Sequence, residues 1–386
     1  MVPFPALEQP LNPFPRYEAM RDSEPVFQDQ ETGVWHAFRY DDVQRVLSEH
    51  ATFSSRFGGD GPSGQLFAAS LVNTDPPRHR QLRSLVSQAF TPRSVEALAP
   101  RISELTNELL DPVIAAGSTD LIDQLAYPLP VIVIAELMGI PAADRDRFKQ
   151  WSDVIVSQTR PGADDSDHAA AHREMAEYFM AMIEQRRRQP GNDLISALLG
   201  AEIDGQKLSV MELLGFCSLL LVAGNETTTN LIGNAVLCFT EAPGTAERLV
   251  AEPDLLPHAI EEVLRYRSPV QSMYRISTVE TTLRGRSLPA GSPIVAWIGS
   301  ANRDGEQFPH PEVFDVERSP NRHLAFGQGI HFCLGAPLAR LEAKIALQAV
   351  LSRLPGLAVE PGATLERMES TIVYGVKRLP VTWQAA

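Results

Sequence analysis

Apolar positions recur at helical spacing through most of the chain from residue 76 to residue 240. The stretches "RHRQLRSLVSQAF", "SVEALAPRISELTNELLDPVIAA" and "HREMAEYFMAMIEQRRR" each predict a helix. The stretch "MELLGFCSLLLVAGNETTTNLIGNAVLCFT", residues 211–240, is different, because it is apolar nearly all round. A helix without a polar face is buried, so this one is predicted to run through the middle of a domain. "DLLPHAIEEVLRYR" and "APLARLEAKIALQAVLSRL" predict two more helices. Strand signals lie outside this block. "PVFQDQETGVWHAFRY" predicts a hairpin turning at Glu31, Thr32 and Gly33, and "DDVQRVLSEH" a short helix opened by Asp41 or Asp42. Residues 270–299 are β-rich, with turns at Arg284-Gly285 and Ala290-Gly291, and the tail is β-prone. Residues 54–73 form a loop rich in Gly, Ser and Pro that still carries Phe57, Leu66, Phe67, Leu71 and Val72. Loops of that length are usually functional. There is no internal repeat and no low-complexity linker, which predicts one domain over residues 1–386.

Composition narrows the possible functions. The chain is 44% hydrophobic, enough for a large core. Its 34 basic and 48 acidic residues give a net charge of -14, poorly matched to a nucleic-acid backbone. The N-terminal "MVPFPALEQPLNPFPRYEAM" has no apolar stretch of signal-peptide length. The longest apolar run, residues 216–224, is far short of the ~18 residues of a membrane span. A cytoplasmic protein without a membrane anchor is expected. The three cysteines are 21 and 95 residues apart, which fits neither a zinc pattern nor a disulfide framework.

Cys333 stands in "FGQGIHFCLGAPLARLE", residues 326–342. Gly327, Gly329 and Gly335 are expected to let the backbone approach a partner closely and to adopt φ > 0. The cysteine comes just before a predicted helix, with Pro337 in the first turn. Backbone N–H groups and the positive helix end stabilise a thiolate there. Such a thiolate is a strong iron ligand, and on haem it favours O–O cleavage. The competing reading is a buried structural cysteine. Cys217 and Cys238, on the long apolar helix, keep that reading.

The pattern Phe326-x-x-Gly329-x-His331-x-Cys333-x-Gly335 resembles the haem-binding loop of the cytochrome P450 superfamily, in its soluble bacterial members. Other stretches extend the resemblance over essentially the whole chain. Glu262-x-x-Arg265 looks like the family's Glu-Arg pair, with Arg318 of "VFDVER" as its later partner. "AGNETTTN", residues 223–230, is similar to the oxygen-activation groove. There the resemblance implies that Gly224 leaves room for dioxygen, Thr227 holds a water and the oxygen being activated, and Glu226 feeds protons. The residue-level alternative is a satisfied polar cluster within the core. His79 and Arg83 are four apart on a helix opened by Asp75-Pro76-Pro77, and with Arg275 and His331 they match the family's haem-propionate partners. Phe326, Gly327 and Gly335 complete the expected haem contacts.

The resemblance implies a mainly α fold with a smaller β-rich part, a triangular α-rich prism with a long central helix over the haem. It implies haem b as cofactor, O2 as co-substrate and Cys333 as metal ligand. It also implies a monooxygenase that hydroxylates a hydrophobic small molecule, with a ferredoxin or flavodoxin-type donor and its reductase supplying electrons. A monomer is expected. Arg80, Arg93, Arg340 and Lys344 are candidates for docking the donor. Phe57, Leu66, Phe67, Leu219, Ala223, Val270, Met273 and Val373 are the candidate substrate pocket, with plain core packing as the alternative for each. A peroxygenase is disfavoured by Glu226 and Thr227, and a haem sensor by the lack of a visible output module.

Overall fold

The structure, a computed structural model, describes residues 12–56, 70–144, 147–148, 150–151, 165–203, 205–368 and 370–385. The first part of the chain gives α1 (Phe14–Ser23), β1 (Val26–Gln28), β2 (Trp35–Ala37), α2 (Tyr40–Ser48) and β3 (Phe53–Ser54). Then come α3 (Arg78–Ala89), α4 (Pro92–Glu96), α5 (Ala99–Leu110), β4 (Ser118–Asp120), α6 (Pro128–Met138), α7 (Asp165–Arg188) and α8 (Leu194–Gly200). The long helix α9 (Val210–Glu241) is followed by α10 (Thr245–Ala251) and α11 (Leu256–Tyr266). The β-rich stretch gives β5 (Met273–Ser277), β6 (Thr281–Leu283), β7 (Arg286–Leu288), β8 (Pro293–Ala296) and α12 (Ile298–Ala301). Helix α13 (Ala336–Arg353), β9 (Ala358–Val359) and β10 (Pro380–Thr382) close the chain.

Two compact units emerge. One comprises Met1–Ser54, Arg101–Ala126 and Thr227–Ala386, and the other Ser55–Pro100 and Tyr127–Glu226. The first unit holds every named strand. Its main sheet runs β1-β2-β8-β5-β3, with β2 and β8 parallel and the other pairs antiparallel. Alternation along β8 buries Ile294 and Ala296 in one cluster with Val43, Val46 and Phe53. Val295 falls in a second cluster with Tyr17, Phe38 and Trp297. The sheet is therefore covered on both faces, as near-continuous apolar strands require. The predicted first hairpin forms: Asp29 Oδ1 accepts the N–H groups of Glu31 and Thr32, and Gly33 turns the chain at φ 72°. The Arg284-Gly285 turn forms too, with φ values of 46° and 77°. Arg284 is held there by a hydrogen bond from Nε to Asp42 Oδ2 (2.6 Å). A second sheet, β4-β10-β9, ties the tail to the middle of the chain.

In the other unit, Arg78 on α3 makes a forked contact with Glu212 at the start of α9, from Nε to Oε1 (2.7 Å) and from Nη2 to Oε2 (2.6 Å). One of the chain's crossings between units falls at Glu226–Thr227, within α9. By length and composition α9 could cross a membrane. Phe216, Cys217, Leu221, Leu231, Ile232 and Val236 are all buried within the protein, so it is a core helix.

Some predicted elements form differently. The stretch read as helix from Ser94 to Ala116 is broken. Thr91 and Ser94 cap α4 reciprocally, α5 restarts at Ala99 with Pro100 in its first turn, and α5 ends at Leu110, just before Asp111-Pro112. Proline is tolerated in a first turn, and it disfavours helix in the residue before it. Helix α2 starts at Tyr40 with Arg39 as its cap, ahead of the aspartates.

Candidate active site

The cysteine loop is built by backbone geometry. Gly327 and Gly329 have φ of 71° and 69°, conformations that glycine adopts without strain. A Cβ on Gly329 would also meet the Ser48 backbone at 2.9 Å, so the loop packs directly on the end of α2. Gly335 departs from the expectation. Its φ is -79°, and it serves as the N-cap of α13 with its Cα side open toward Cys333 Sγ, 3.9 Å from where a Cβ would be. The Cys333 N–H donates to the Phe326 carbonyl (2.8 Å), and Pro337 takes its expected place in the first turn.

The three cysteines separate by environment. Cys217 and Cys238 are buried, and burial pushes both thiols up to about 12. Cys333 is exposed. Of the three, it alone is both accessible and placed at a helix N-terminus, where a thiolate is stabilised. A soft iron centre such as haem fits that donor.

Behind the loop is a buried ionic network. Arg265 and Glu262 are both fully buried. Arg265 donates to Glu262 from Nε (2.8 Å) and Nη2 (2.7 Å), and to the carbonyls of Asn302, Pro311 and Val313. Arg318 donates to Glu262 Oε1 (3.1 Å), as do the N–H of Asp315 (3.0 Å) and, to Oε2, the amide of Asn321 (3.0 Å). A buried carboxylate needs this degree of satisfaction. The network reaches the loop directly, because Asn302 Oδ1 accepts the Leu324 N–H at 2.7 Å. The trio Glu262, Arg265 and Arg318 is thus brought together.

On α9, Leu219, Ala223 and Thr227 follow one another at four-residue spacing and share a face. Leu219 and Thr227 are half-buried and Ala223 is exposed, whereas Phe216, Cys217, Asn225 and Thr228 are buried. Leu220, Gly224 and Glu226 on the same stretch of α9 are half-buried as well. Gly224 itself packs closely on α6. A Cβ there would sit 2.1 Å from Ile134 Cδ1, so the glycine admits a side chain of α6. Its neighbour Ala223 is exposed.

The other candidates are placed as follows. His79 is buried and Arg83 half-buried on α3, one turn apart. Arg275 is buried on β5, on the same face as exposed Met273. His331 is half-buried in the cysteine loop. Val270 and Val373 form an antiparallel bridge, reinforced by Gln271 N–H to Ile372 O (2.7 Å) and Tyr374 N–H to Pro269 O (2.8 Å). The Asn234 amide on α9 donates to the carbonyls of Arg267 (3.1 Å) and Tyr374 (3.0 Å), holding both sides of this pair. Phe57, Leu66 and Phe67 lie outside the described residues.

Sequence reasoning missed two features. Glu342 on α13 is a buried acid hydrogen-bonded by Thr228. Its signal was a carboxylate on the inward face of an amphipathic helix. Arg340, taken for an open docking residue, is forked onto Glu261 by hydrogen bonds of 2.6 and 2.8 Å.

An accessible cysteine ahead of a helix N-terminus, backed by a satisfied ionic network, is the arrangement expected of a haem-thiolate protein. Comparison with known proteins carries this to a family. The family model for cytochrome P450 matches residues 142–373. The chain is 45% identical to cytochrome P450 109 of Bacillus spizizenii over 96% of this chain and 92% of that protein. It is 42% identical to erythromycin C-12 hydroxylase of Saccharopolyspora erythraea, over 94% and 92%. Among solved structures it is similar to CYP109E1 from Bacillus megaterium in complex with testosterone. That likeness has a TM-score of 0.89 and 48% identity, over 97% of this chain and all 100% of the other. The substrate-free form of the same enzyme gives a TM-score of 0.93 with 47% identity, over 97% and 99%. The chain belongs to the cytochrome P450 family. It is a monooxygenase that inserts one atom of dioxygen into a small organic substrate with electrons from separate redox proteins.

Proposed function

We propose that the chain hydroxylates a bulky apolar substrate of steroid size, with Cys333 as the thiolate ligand of a haem b. The observation that carries the ligand reading is that Cys333 is the accessible thiol of the three. The substrate reading is supported by the apolar Val270–Val373 pair with Met273 and by the likeness to an enzyme crystallised with testosterone.

Bound haem supplies the capacity to reduce and split dioxygen. The chain supplies the rest. His79, Arg83, Arg275 and His331 neutralise and orient the two propionates, a sensible match of cationic and carboxylate groups. Phe326, Gly327 and Gly335 shape the surface on which the ring rests. The Thr227 hydroxyl holds a water by hydrogen bonds, and the Glu226 carboxylate passes protons to it from solvent. Leu219, Ala223, Val270, Met273 and Val373 exclude bulk water and orient the substrate. Phe57, Leu66 and Phe67 are proposed to join them. A ferredoxin or flavodoxin-type protein with its reductase supplies electrons, docking near exposed Arg80, Arg93 and Lys344. The protein acts in the cytoplasm as a monomer.

The test is a panel of steroids, macrolides and fatty acids scored by the low-to-high-spin shift of the ferric enzyme. Steroids are expected to shift it at micromolar concentration. A shift with fatty acids alone would overturn the substrate reading. Loss of product formation with continued electron consumption in Thr227→Ala supports the proton-handling role, and unchanged coupling refutes it.

A further inference from the structure

Arg340 lies on α13, one turn after the helix starts at Ala336 and seven residues after Cys333. Its guanidinium donates from Nε to Glu261 Oε1 (2.6 Å) and from Nη2 to Glu261 Oε2 (2.8 Å). This forked geometry is the strongest common form of ion pair. The same guanidinium lies 4.4 Å from the centre of the Phe326 ring, within cation–π range. A third group completes the cluster. His323 Nε2 is 3.1 Å from Glu261 Oε2, and the Ala325 N–H donates to His323 Nδ1 at 3.3 Å. With Nδ1 accepting, the ring proton is on Nε2 and is donated to Glu261. Burial works to raise the Glu261 pKa, but hydrogen bonds from Arg340 and His323 and the charge of Arg340 override it and hold it at about 2. Glu261 is therefore a carboxylate at every working pH.

The ring that Arg340 covers belongs to the residue whose carbonyl accepts the Cys333 N–H, at 2.8 Å. The Phe326 and Phe332 rings are 6.3 Å apart, so the aromatic contact continues to the residue preceding the cysteine. The buried Glu262 network fixes the loop at Leu324, through Asn302. Phe326 is two residues further on, and the Glu261 cluster is what holds it.

We infer that Arg340 is a positioning residue for the thiolate. With Glu261 and His323 it fixes the Phe326 ring, and through the Phe326 carbonyl it fixes the backbone of Cys333. The inference rests on Cys333 being the haem ligand. It differs from a docking role, in which Arg340 would be free to meet an acidic electron donor.

The experiment uses purified holoprotein reduced with dithionite under carbon monoxide, so that no protein donor takes part. Thiolate ligation gives a strongly red-shifted band, and its loss gives an unshifted one. Arg340→Ala and Glu261→Gln are expected to show the red-shifted band at first. They should then convert to the unshifted form roughly tenfold faster than wild type on mild warming, the effect of losing a charge-assisted contact. The double variant should convert no faster than Arg340→Ala, because both changes break one contact. Arg340→Lys keeps the charge without the planar fork, and intermediate behaviour is expected. It also decides the matter if Arg340→Ala fails to load haem. Wild-type conversion rates in these variants overturn the inference. So does a salt-dependent slowing of reduction by the protein donor with an unchanged time course here, since that is the signature of docking. A wild-type protein without the red-shifted band refutes the ligand assignment instead.

Discussion

Thr228 of α9 is hydrogen-bonded to Glu342 of α13, so the central helix meets the helix of the cysteine loop at a buried acid. Glu342 Oε1 has no hydrogen-bond partner among the described residues. Burial raises the carboxyl pKa from 4.5 to about 8, and the Thr228 bond, which works to lower it, does not prevent this. At neutral pH Glu342 is therefore protonated in the folded protein and ionised in the unfolded chain. The folded state then holds the extra proton, so its contribution is full below pH 4.5 and falls as pH rises toward about 8. The slope is about 1.4 kcal/mol per pH unit. Glu342→Gln is expected to be more stable than wild type at pH 8 and to lose most of that advantage by pH 5. Urea midpoints at four pH values test this, and parallel curves would contradict it.

The Glu262 network makes a second prediction. Glu262→Ala leaves Arg265 buried without its counter-ion, which costs about 3–5 kcal/mol. Arg265→Lys gives up the fork to Glu262 and most of the three carbonyl contacts, so it should also fail to hold haem at the wild-type level. Haem content and denaturation midpoints measure both. A variant with wild-type values would remove the network from its structural role.

Gly224 and Ile134 supply a third. Gly224→Ala places a methyl 2.1 Å from Ile134 Cδ1, and overpacking of this kind costs about 1–3 kcal/mol. Ile134→Val removes Cδ1, and the next atom, Cγ1, is 3.4 Å away. The double variant should recover most of the loss. An equal cost of Gly224→Ala in both backgrounds, read from thermal midpoints, would show that the glycine serves some other purpose.

Thiol chemistry supplies a fourth. With Cys217 and Cys238 buried and pushed up to about 12, neither presents a thiolate near neutral pH. A disulfide reagent is expected to titrate one thiol rapidly in protein stripped of haem, and none in holoprotein. Rapid reaction of two or more thiols in the stripped protein, with the fold intact by circular dichroism, would contradict the assignment of Cys217 and Cys238 to the core.

Much of this was legible in the sequence because it depends on local pattern. The all-round apolar character of residues 211–240 announced a core helix, and the Gly-rich run before Pro337 announced the cysteine loop. Glu262 and Arg265 were readable as a pair because helical spacing fixes their distance. What could not be read depended on partners far along the chain. Nothing near Gly224 reveals that Ile134 packs against it. Nothing near Arg340 reveals that Glu261, 79 residues earlier, binds it. Strand β4 carries no alternation of its own and exists because β10 pairs with it. The unexpected break between α4 and α5 was recoverable from Pro100, and the end of α5 from Pro112, had the prolines been weighted above the apolar periodicity.

The central claim is that Cys333 is the thiolate ligand of the haem. Its most direct test is the absorption spectrum of the dithionite-reduced protein under carbon monoxide, compared with Cys333→Ser. Wild type is predicted to give the strongly red-shifted Soret band of thiolate-ligated haem, and the variant to lose it while Cys217 and Cys238 remain. The same red-shifted band in Cys333→Ser would contradict the claim.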